Sequence, residues 1–358
     1  MPVSSFAKLP MLRRLWWAPA LATLVLGTST AHAWREIPLE ESRTVAAQPR
    51  PVPSLDAIAS AAVAEAIAQV GDGKVNPAEV SLTIIDARDS HDPRIGAHLG
   101  NTRTFPASVV KLCYMVTAFD QIATGQIAMT EKLRGDLQTM IGVSSNVATS
   151  NILDLVTNTG FGPELPAEEF EAFAHKRRTV NRYMATLGLS SINACQKTFD
   201  AAVPFYGRDP QFLGPRAGDN YENSNMMTTD DTARLLYLIY RRAVVSRAAC
   251  EHMLELMRRS EGRGTTVFSS IVPPGLQLYS KDGAVTMRGV SFLHDAGIFE
   301  LPGQGSIIVV AFTRTRGADR PQPVAATAAA LALERVGATT AIPGASTGNA
   351  QAQTTRAE

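Results

Sequence analysis

The chain of 358 residues is 45% hydrophobic and 19% charged. That supplies the core of one large globular domain or two interleaved lobes and excludes a collagen, a disordered chain and a multi-span membrane protein. The formal net charge is +1, and once Lys8, Arg13 and Arg14 of the acid-free first 33 residues are set aside, 31 basic residues face 33 acidic ones; with no long basic run, nucleic acid is not an expected partner.

Residues 1–33 read as a secretory signal. Arg13 and Arg14 precede an apolar segment, Leu15 to Gly27, and Ala31-His32-Ala33 offers a small-x-small cleavage site before Trp34. The apolar run is short for a membrane span, so no stable span is expected after cleavage and the mature chain is expected to be periplasmic or secreted. The surroundings of the arginine pair match twin-arginine export poorly. Residues 34–53, rich in Pro, Arg and Glu and lacking periodicity, read as an exposed linker. Ser54-Leu55-Asp56 reads as the cap of an Ala-rich helix that runs to Val70 and stops at Gly71-Asp72-Gly73. Val80 to Ile85 predicts a strand, Asp89 to Pro93 a turn, and Arg94 to His98 a shorter strand that completes a hairpin.

Next comes Thr104-Phe105-Pro106-Ala107-Ser108-Val109-Val110-Lys111-Leu112. Pro106 suits a helix start, and a helix from Ser108 to about Ala123 sets Ser108 and Lys111 one turn apart on one face. A hydroxyl held beside an amine is an activated nucleophile if the amine can lose its proton, which calls for a closed, mostly dry pocket. Alone, S-x-x-K is a weak signal. A short helix is predicted over Asp136 to Ile141, then Gly142-Val143-Ser144-Ser145-Asn146 and a helix to Val156. Glu168 to Leu187 reads as one helix. Asn193 to Asn225 is a long loop rich in Gly, Pro, Asp and Asn, and loops of that length inside a compact domain are usually functional. Thr228-Thr229-Asp230-Asp231 caps a helix from Thr232 to about Ala243, and Ala248 to Arg259 forms another. Leu276 to Ser280, Val290 to Asp295 and Ser306 to Thr313 read as antiparallel strands, Pro323 to Val336 as a closing helix, and residues 339–358 as a disordered tail.

The fold class expected is therefore α/β (α+β): an antiparallel sheet built from both ends of the chain and flanked by terminal helices, with an inserted all-helical lobe. The main domain spans residues 54–338, its α/β lobe residues 54–103 and 266–338, its helical lobe residues 104–265. A cleft between the lobes is the expected place for a site. Cys113, Cys195 and Cys250 allow one disulfide and a spare thiol in an exported chain; the sequence leaves the pairing open, and their spacing fits no metal site. No cofactor or metal motif is present, and no His completes a Ser-His-Asp triad by any visible motif.

Ser108-Val109-Val110-Lys111, Ser144-Ser145-Asn146 and Lys281-Asp282-Gly283 follow in the order of the three boxes of class A β-lactamases and penicillin-binding proteins, which the chain resembles over roughly residues 54 to 338. The first two boxes lie 36 positions apart, and Met140 to Ala148 resembles the text around the family's second box. The resemblance implies an acyl-transfer site. Ser108 would attack an activated amide, Lys111 would take its proton, and Ser144 would pass a proton to the leaving nitrogen. Asn146 would hold Lys111 and the substrate's side-chain amide, and Lys281 would supply positive charge near Ser144 and the substrate carboxylate. Backbone N–H groups of Ser108 and Ala284 would form the oxyanion hole, with Asp282, Gly283 and Arg288 at the substrate. The partner implied is a small β-lactam or a peptidoglycan-like peptide.

Three departures stand out. Asp282 replaces the usual Thr or Ser of the third box and would repel a substrate carboxylate; Arg288, near the next turn, either offsets that charge or is an ordinary solvated residue. The family's deacylating glutamate is missing: Asn193 to Phe199 is the nearest counterpart and puts no acid at that position. Asp200, Asp219 and Glu222 are possible substitutes that read more simply as solvated loop residues. The segment from Asn151 to Thr228 is also longer than the family's loop. The readings left open are a β-lactamase acylated at Ser108, a penicillin-binding, D,D-peptidase-like or esterase relative that deacylates slowly, and a binding protein on the same fold.

Overall fold

The computed structural model describes residues 46–338, apart from 72, 200–202, 204, 219, 260–265, 273–275 and 318–322. The expected signal, most of the linker, the tail, and the candidate acids Asp200 and Asp219 lie outside the described residues.

The first elements are strand β1 (Arg50–Pro51), helix α1 (Pro53–Val70), and strands β2 (Val80–Asp86) and β3 (Arg94–His98). From the far end of the chain come β6 (Arg258–Arg259), β7 (Gln277–Met287), β8 (Val290–Leu301), β9 (Gly305–Arg316) and helix α10 (Val324–Arg335). Between them lie α2 (Lys111–Ala123), α3 (Glu131–Gly142), α4 (Asn146–Thr157), α5 (Ala167–Arg177), α6 (Thr179–Thr186), α7 (Arg208–Leu213), the small strands β4 (Arg216–Ala217) and β5 (Asn220–Tyr221), and helices α8 (Thr229–Tyr240) and α9 (Arg247–Met257).

The seven-stranded sheet runs β1-β3-β2-β9-β8-β7-β6. Strands from the two ends of the chain meet at β2 and β9, where Leu82 faces Ala311 and Ile84 faces Val309. One face packs on α1 and α10 through Ala59, Ala62, Val63, Ala66, Ala325, Ala328, Ala329 and Ala332 against Leu82, Ile84, Ile307 and Val309. Small alanines on both helices let them lie close to each other and to the sheet. The other face receives α8, whose buried Thr232, Ala233, Leu236 and Ile239 recur at helical spacing. Thr228 accepts a hydrogen bond from the Asp231 N–H and caps it. Helix α2 is the centre of the inserted lobe; all of it but Asp120 and Ala123 is buried.

Several expectations are corrected. The sheet is not wholly antiparallel, because Arg50 and Pro51 pair parallel to β3. The end of the expected linker is thus an edge strand, and the Tyr237 hydroxyl donates to the Ala47 carbonyl at 2.7 Å. Helix α1 begins at Pro53, with Val52 rather than Ser54 at its cap, as suits a proline that has no N–H to lose. The inserted lobe is not all helical: β4 and β5 pair within it, and β6 joins the sheet. The helix expected over Glu168 to Leu187 breaks at Arg178 into α5 and α6. Cys113, Cys195 and Cys250 are all buried and free.

The long segment from Asn193 to Asn225 carries α7 and the β4–β5 hairpin and is fastened from inside. Arg177, fully buried, lies 3.0 Å from Asp209 and 3.5 Å from Asp154, while Lys197 lies 2.8 Å from Asp154 and 3.5 Å from Asp209. The Lys197 ammonium also sits 3.1 Å from the centre of the Phe161 ring. Burial pushes the Asp209 carboxyl up and the Lys197 ammonium down, so each charge depends on the others to remain charged. Removing one partner of such a group costs about 3–5 kcal/mol. Arg177→Met is therefore expected to lower the denaturant midpoint by an amount equivalent to about 3 kcal/mol, measured by urea unfolding followed by circular dichroism.

Candidate active site

The first box is presented by a single 3-10 turn, Ala107–Val110, from which α2 departs. Ala107, just before Ser108, is held at φ 46°, a left-handed conformation that costs a non-glycine residue about 1–3 kcal/mol. The Ser108 hydroxyl makes no hydrogen bond among the described residues, and the residue lines a cleft of about 400 Å³. Asn146 and Ala284 line the same cleft.

Lys111 is wholly buried. Its ammonium donates to the Ser144 carbonyl at 2.6 Å, the Ser144 hydroxyl at 3.0 Å and Asn146 Oδ1 at 2.8 Å. Those acceptors match the three N–H bonds of an ammonium. The second box divides its labour. Ser144, at φ 61°, turns its carbonyl and hydroxyl to Lys111. Ser145 is the N-cap of α4, accepting from the Ala148 N–H at 3.2 Å, and Asn146 opens the helix with its side chain on Lys111.

The third box lies on β7, and glycine is required there by contact. A Cβ on Gly283 would lie 2.7 Å from the Pro106 carbonyl oxygen and 2.8 Å from the Ser108 nitrogen, so strand and Ser108 turn touch backbone to backbone. Among the described residues, β7 beyond Ser280 pairs with β8 on one side only, β6 pairing with Leu278 and Tyr279. Lys281 is buried, but it does not hydrogen-bond to Ser144 among the described residues; it donates to the carbonyl of Asp282 at 2.7 Å and to its carboxylate at 3.0 Å. Burial lowers the Lys281 ammonium from its usual range, and Asp282 opposes that. Arg288 does not offset Asp282: it occupies the β7–β8 turn at φ 52° and donates to the Tyr221 hydroxyl at 2.7 Å. Lys281 itself answers Asp282.

Sequence reasoning missed two residues that hold the site from behind. Arg259, on β6, donates to the Ser280 carbonyl at 2.6 Å and the Ile141 carbonyl at 3.0 Å, tying the third-box strand to the helix that leads into the second box. His294, on β8 opposite Gly283, accepts from the Thr313 N–H at Nδ1, 3.0 Å, so Nε2 carries the proton and donates to the Phe105 carbonyl at 3.0 Å. Both are isolated letters inside helix and strand patterns, and only the fold brings them to the boxes.

At the expected position of the deacylating acid the chain turns inward. Cys195 is buried and its thiol donates to Asn193 Oδ1 at 3.1 Å. Gln196, Lys197, Thr198 and Phe199 line the cleft instead, and the Tyr114 hydroxyl donates to the Gln196 carbonyl at 2.7 Å. Glu222 is exposed and not in the lining. Among the described residues no group of three or more His, Cys, Asp or Glu is placed to hold a metal.

Residues 62–338 match the family described as the beta-lactamase enzyme family. The chain belongs to that family. Solved structures agree in fold. A beta-lactamase from Chitinophaga pinensis is 17% identical, aligned over 76% of this chain and 96% of its own, with a TM-score of 0.56. One from Sphaerobacter thermophilus is 21% identical over 78% and 97%, at 0.55. PBP-A, as a point mutant in an acyl-enzyme complex with penicillin G, is 17% identical over 81% and 99%, also at 0.55. No curated protein matches the sequence.

Two expectations follow for a family member with this geometry. Gly283→Val forces strand and turn apart and is expected to lower the activity of the family member on β-lactams by about a hundredfold or more, a misplacement near 1 Å being enough; steady-state rates on a chromogenic β-lactam measure it. Burial holds the His294 imidazole down at about 4, against an ordinary 6.5. Unfolded chains take up that proton near 6.5 and the folded chain near 4, so stability is lost as pH falls through that window, by roughly 3 kcal/mol in all. Urea midpoints between pH 7 and pH 4 are expected to fall less steeply for His294→Gln, which keeps a donor and an acceptor but no titration.

Proposed function

We propose that the chain is an exported serine hydrolase of class A β-lactamase type, periplasmic or secreted, that opens β-lactam amides through an acyl-enzyme on Ser108. The observation that carries this reading is the bonding of buried Lys111 to Ser144 and Asn146 beside a cleft that exposes Ser108. A binding module gains nothing from burying an ammonium in that arrangement.

The proposed steps are these. Ser108 Oγ bonds to the substrate carbonyl carbon while its proton passes to a neutral Lys111 Nζ, directly or through a water. The Ser144 hydroxyl is donor as well as acceptor, so it can turn its hydrogen toward an uncharged amine. The carbonyl oxygen takes the negative charge and is met by the N–H groups of Ser108 and Ala284, each such donor being worth about 3 kcal/mol. The ring C–N bond then breaks as Ser144 gives its proton to the nitrogen and is replenished from Lys111. Buried Lys281 is paired with Asp282 and adds no free positive charge to that wall.

A second reading has its own support. Among the described residues the cleft lining holds no carboxylate, so none of them offers a carboxylate base to direct water at the acyl-enzyme. Slow deacylation, as in a penicillin-binding protein, follows from that.

A chromogenic cephalosporin followed by colour and intact mass separates the two. Sustained colour supports turnover; one stoichiometric burst with a stable adduct supports acylation that stalls. Ser108→Ala is expected to abolish both signals, and Lys111→Ala to slow acylation by about a thousandfold or more. A wild-type protein indistinguishable from Ser108→Ala overturns the proposal.

A further inference from the structure

The charges that line the cleft are of one sign. Its described lining includes Arg103, Lys197, Arg216, Arg288, Arg314 and Arg316 and no Asp or Glu, in a chain with 34 basic and 33 acidic residues. Chain composition does not account for that bias, so the partners of each cation decide what it is for. Lys197 belongs to the buried group with Asp154 and Asp209. Arg314 and Arg316 pair with Glu79 at 3.0 and 3.1 Å. Deeper in, Lys281 is engaged by Asp282 at 3.0 Å. The third box therefore presents a neutralised pair, with a carboxylate where a substrate anion would have to sit.

Arg216 and Arg288 are different. Arg216 donates only to the Gly218 carbonyl, at 2.9 Å, and Arg288 only to the neutral Tyr221 hydroxyl, among the described residues. Both are exposed. They also converge: Tyr221 is the cross-strand partner of Arg216 on the β4–β5 hairpin, and its ring lies 5.4 Å under the Arg288 guanidinium. Among the described residues neither guanidinium meets a carboxylate; Arg288 lies over the Tyr221 ring and Arg216 stands opposite Tyr221 in the hairpin register, each with N–H donors to spare and a geometry that matches a carboxylate. Arg103, exposed on the same lining, adds attraction at longer range. Apolar wall is at hand, with Phe199 and Phe205 4.5 Å apart, ring to ring.

We propose that the substrate's carboxylate is held by Arg216 and Arg288 across Tyr221, on the wall made by the β4–β5 hairpin and the β7–β8 turn, and not at the third box. This rests on the acyl-transfer reading of the site. Arg216 and Arg288 are specificity residues in it; the bond-making groups are untouched. The substrates favoured are amides with a free carboxylate set away from the scissile carbonyl and an apolar group between.

The test uses the mature chain carrying Ser108→Ala, in which binding is read without acylation. A cephalosporin is titrated as its free carboxylate and as its methyl ester, by calorimetry. The free acid is expected to bind about tenfold tighter or more at low salt, and the preference to shrink at about 0.5 M salt. Adding Arg216→Gln and Arg288→Gln is expected to erase the preference with the melting temperature unchanged, while Arg216→Lys with Arg288→Lys keeps part of it. Equal binding of acid and ester, no measurable binding of either at millimolar concentration, or a preference that survives the glutamine pair overturns the proposal. Acid preference in this protein together with a wild-type chain that never acylates would instead remove the reaction proposed above and leave the subsite standing.

Discussion

The site depends on one buried ammonium. Lys111 emerges from the first turn of α2 into the interior, and its hydrogen bonds to the Ser144 carbonyl, the Ser144 hydroxyl and Asn146 fix where the second box must lie. Leaving that charge unmet would cost several kcal/mol, more than the strain held at the left-handed Ala107 and Ser144. The strain at both positions is therefore tolerated because the lysine over-determines the geometry around it.

Around this group the structure repeats one tactic, which is to join separate segments through buried polar groups that reach backbone carbonyls. Arg259 ties Ser280 to Ile141, His294 ties β8 to Phe105, and Tyr114 ties α2 to Gln196. These bonds add partners to buried carbonyls, that of Gln196 also accepting from Asn225 Nδ2 at 2.9 Å, and His294 and Tyr114 hold their segments without adding net charge. Arg259 is the exception in charge, and burial lowers its guanidinium from the usual range.

Much of the fold was legible in the sequence because its elements carry strong periodicity. The β2–β3 hairpin, α8 with its Thr228 cap and the closing helix α10 lie within a few residues of where the pattern sets them. The boxes were legible because their residue types and order are specific as a set. Four things were not. The edge strand Arg50–Pro51 is two residues long and has no pattern of its own. The break at Arg178 depends on packing, since the flanking sequence continues at helical spacing. The pairing of Lys281 with Asp282 follows from where the strand places both side chains, which spacing alone cannot show. Likewise Arg288 turns to Tyr221, a partner 67 positions away, over a hairpin hidden in an apparently featureless loop.

The contact of Gly283 with the Ser108 turn and the one-sided pairing of β7 among the described residues have a consequence for molecular shape. A main chain laid along Ala284 to Met287 meets a row of backbone groups that recognise any amide in extended form, whatever its side groups. A fused bicyclic ring can use little of that row, whereas a linear acyl-dipeptide can use several positions of it. An open strand edge of this kind would reward consecutive amides in an extended compound over isolated ones.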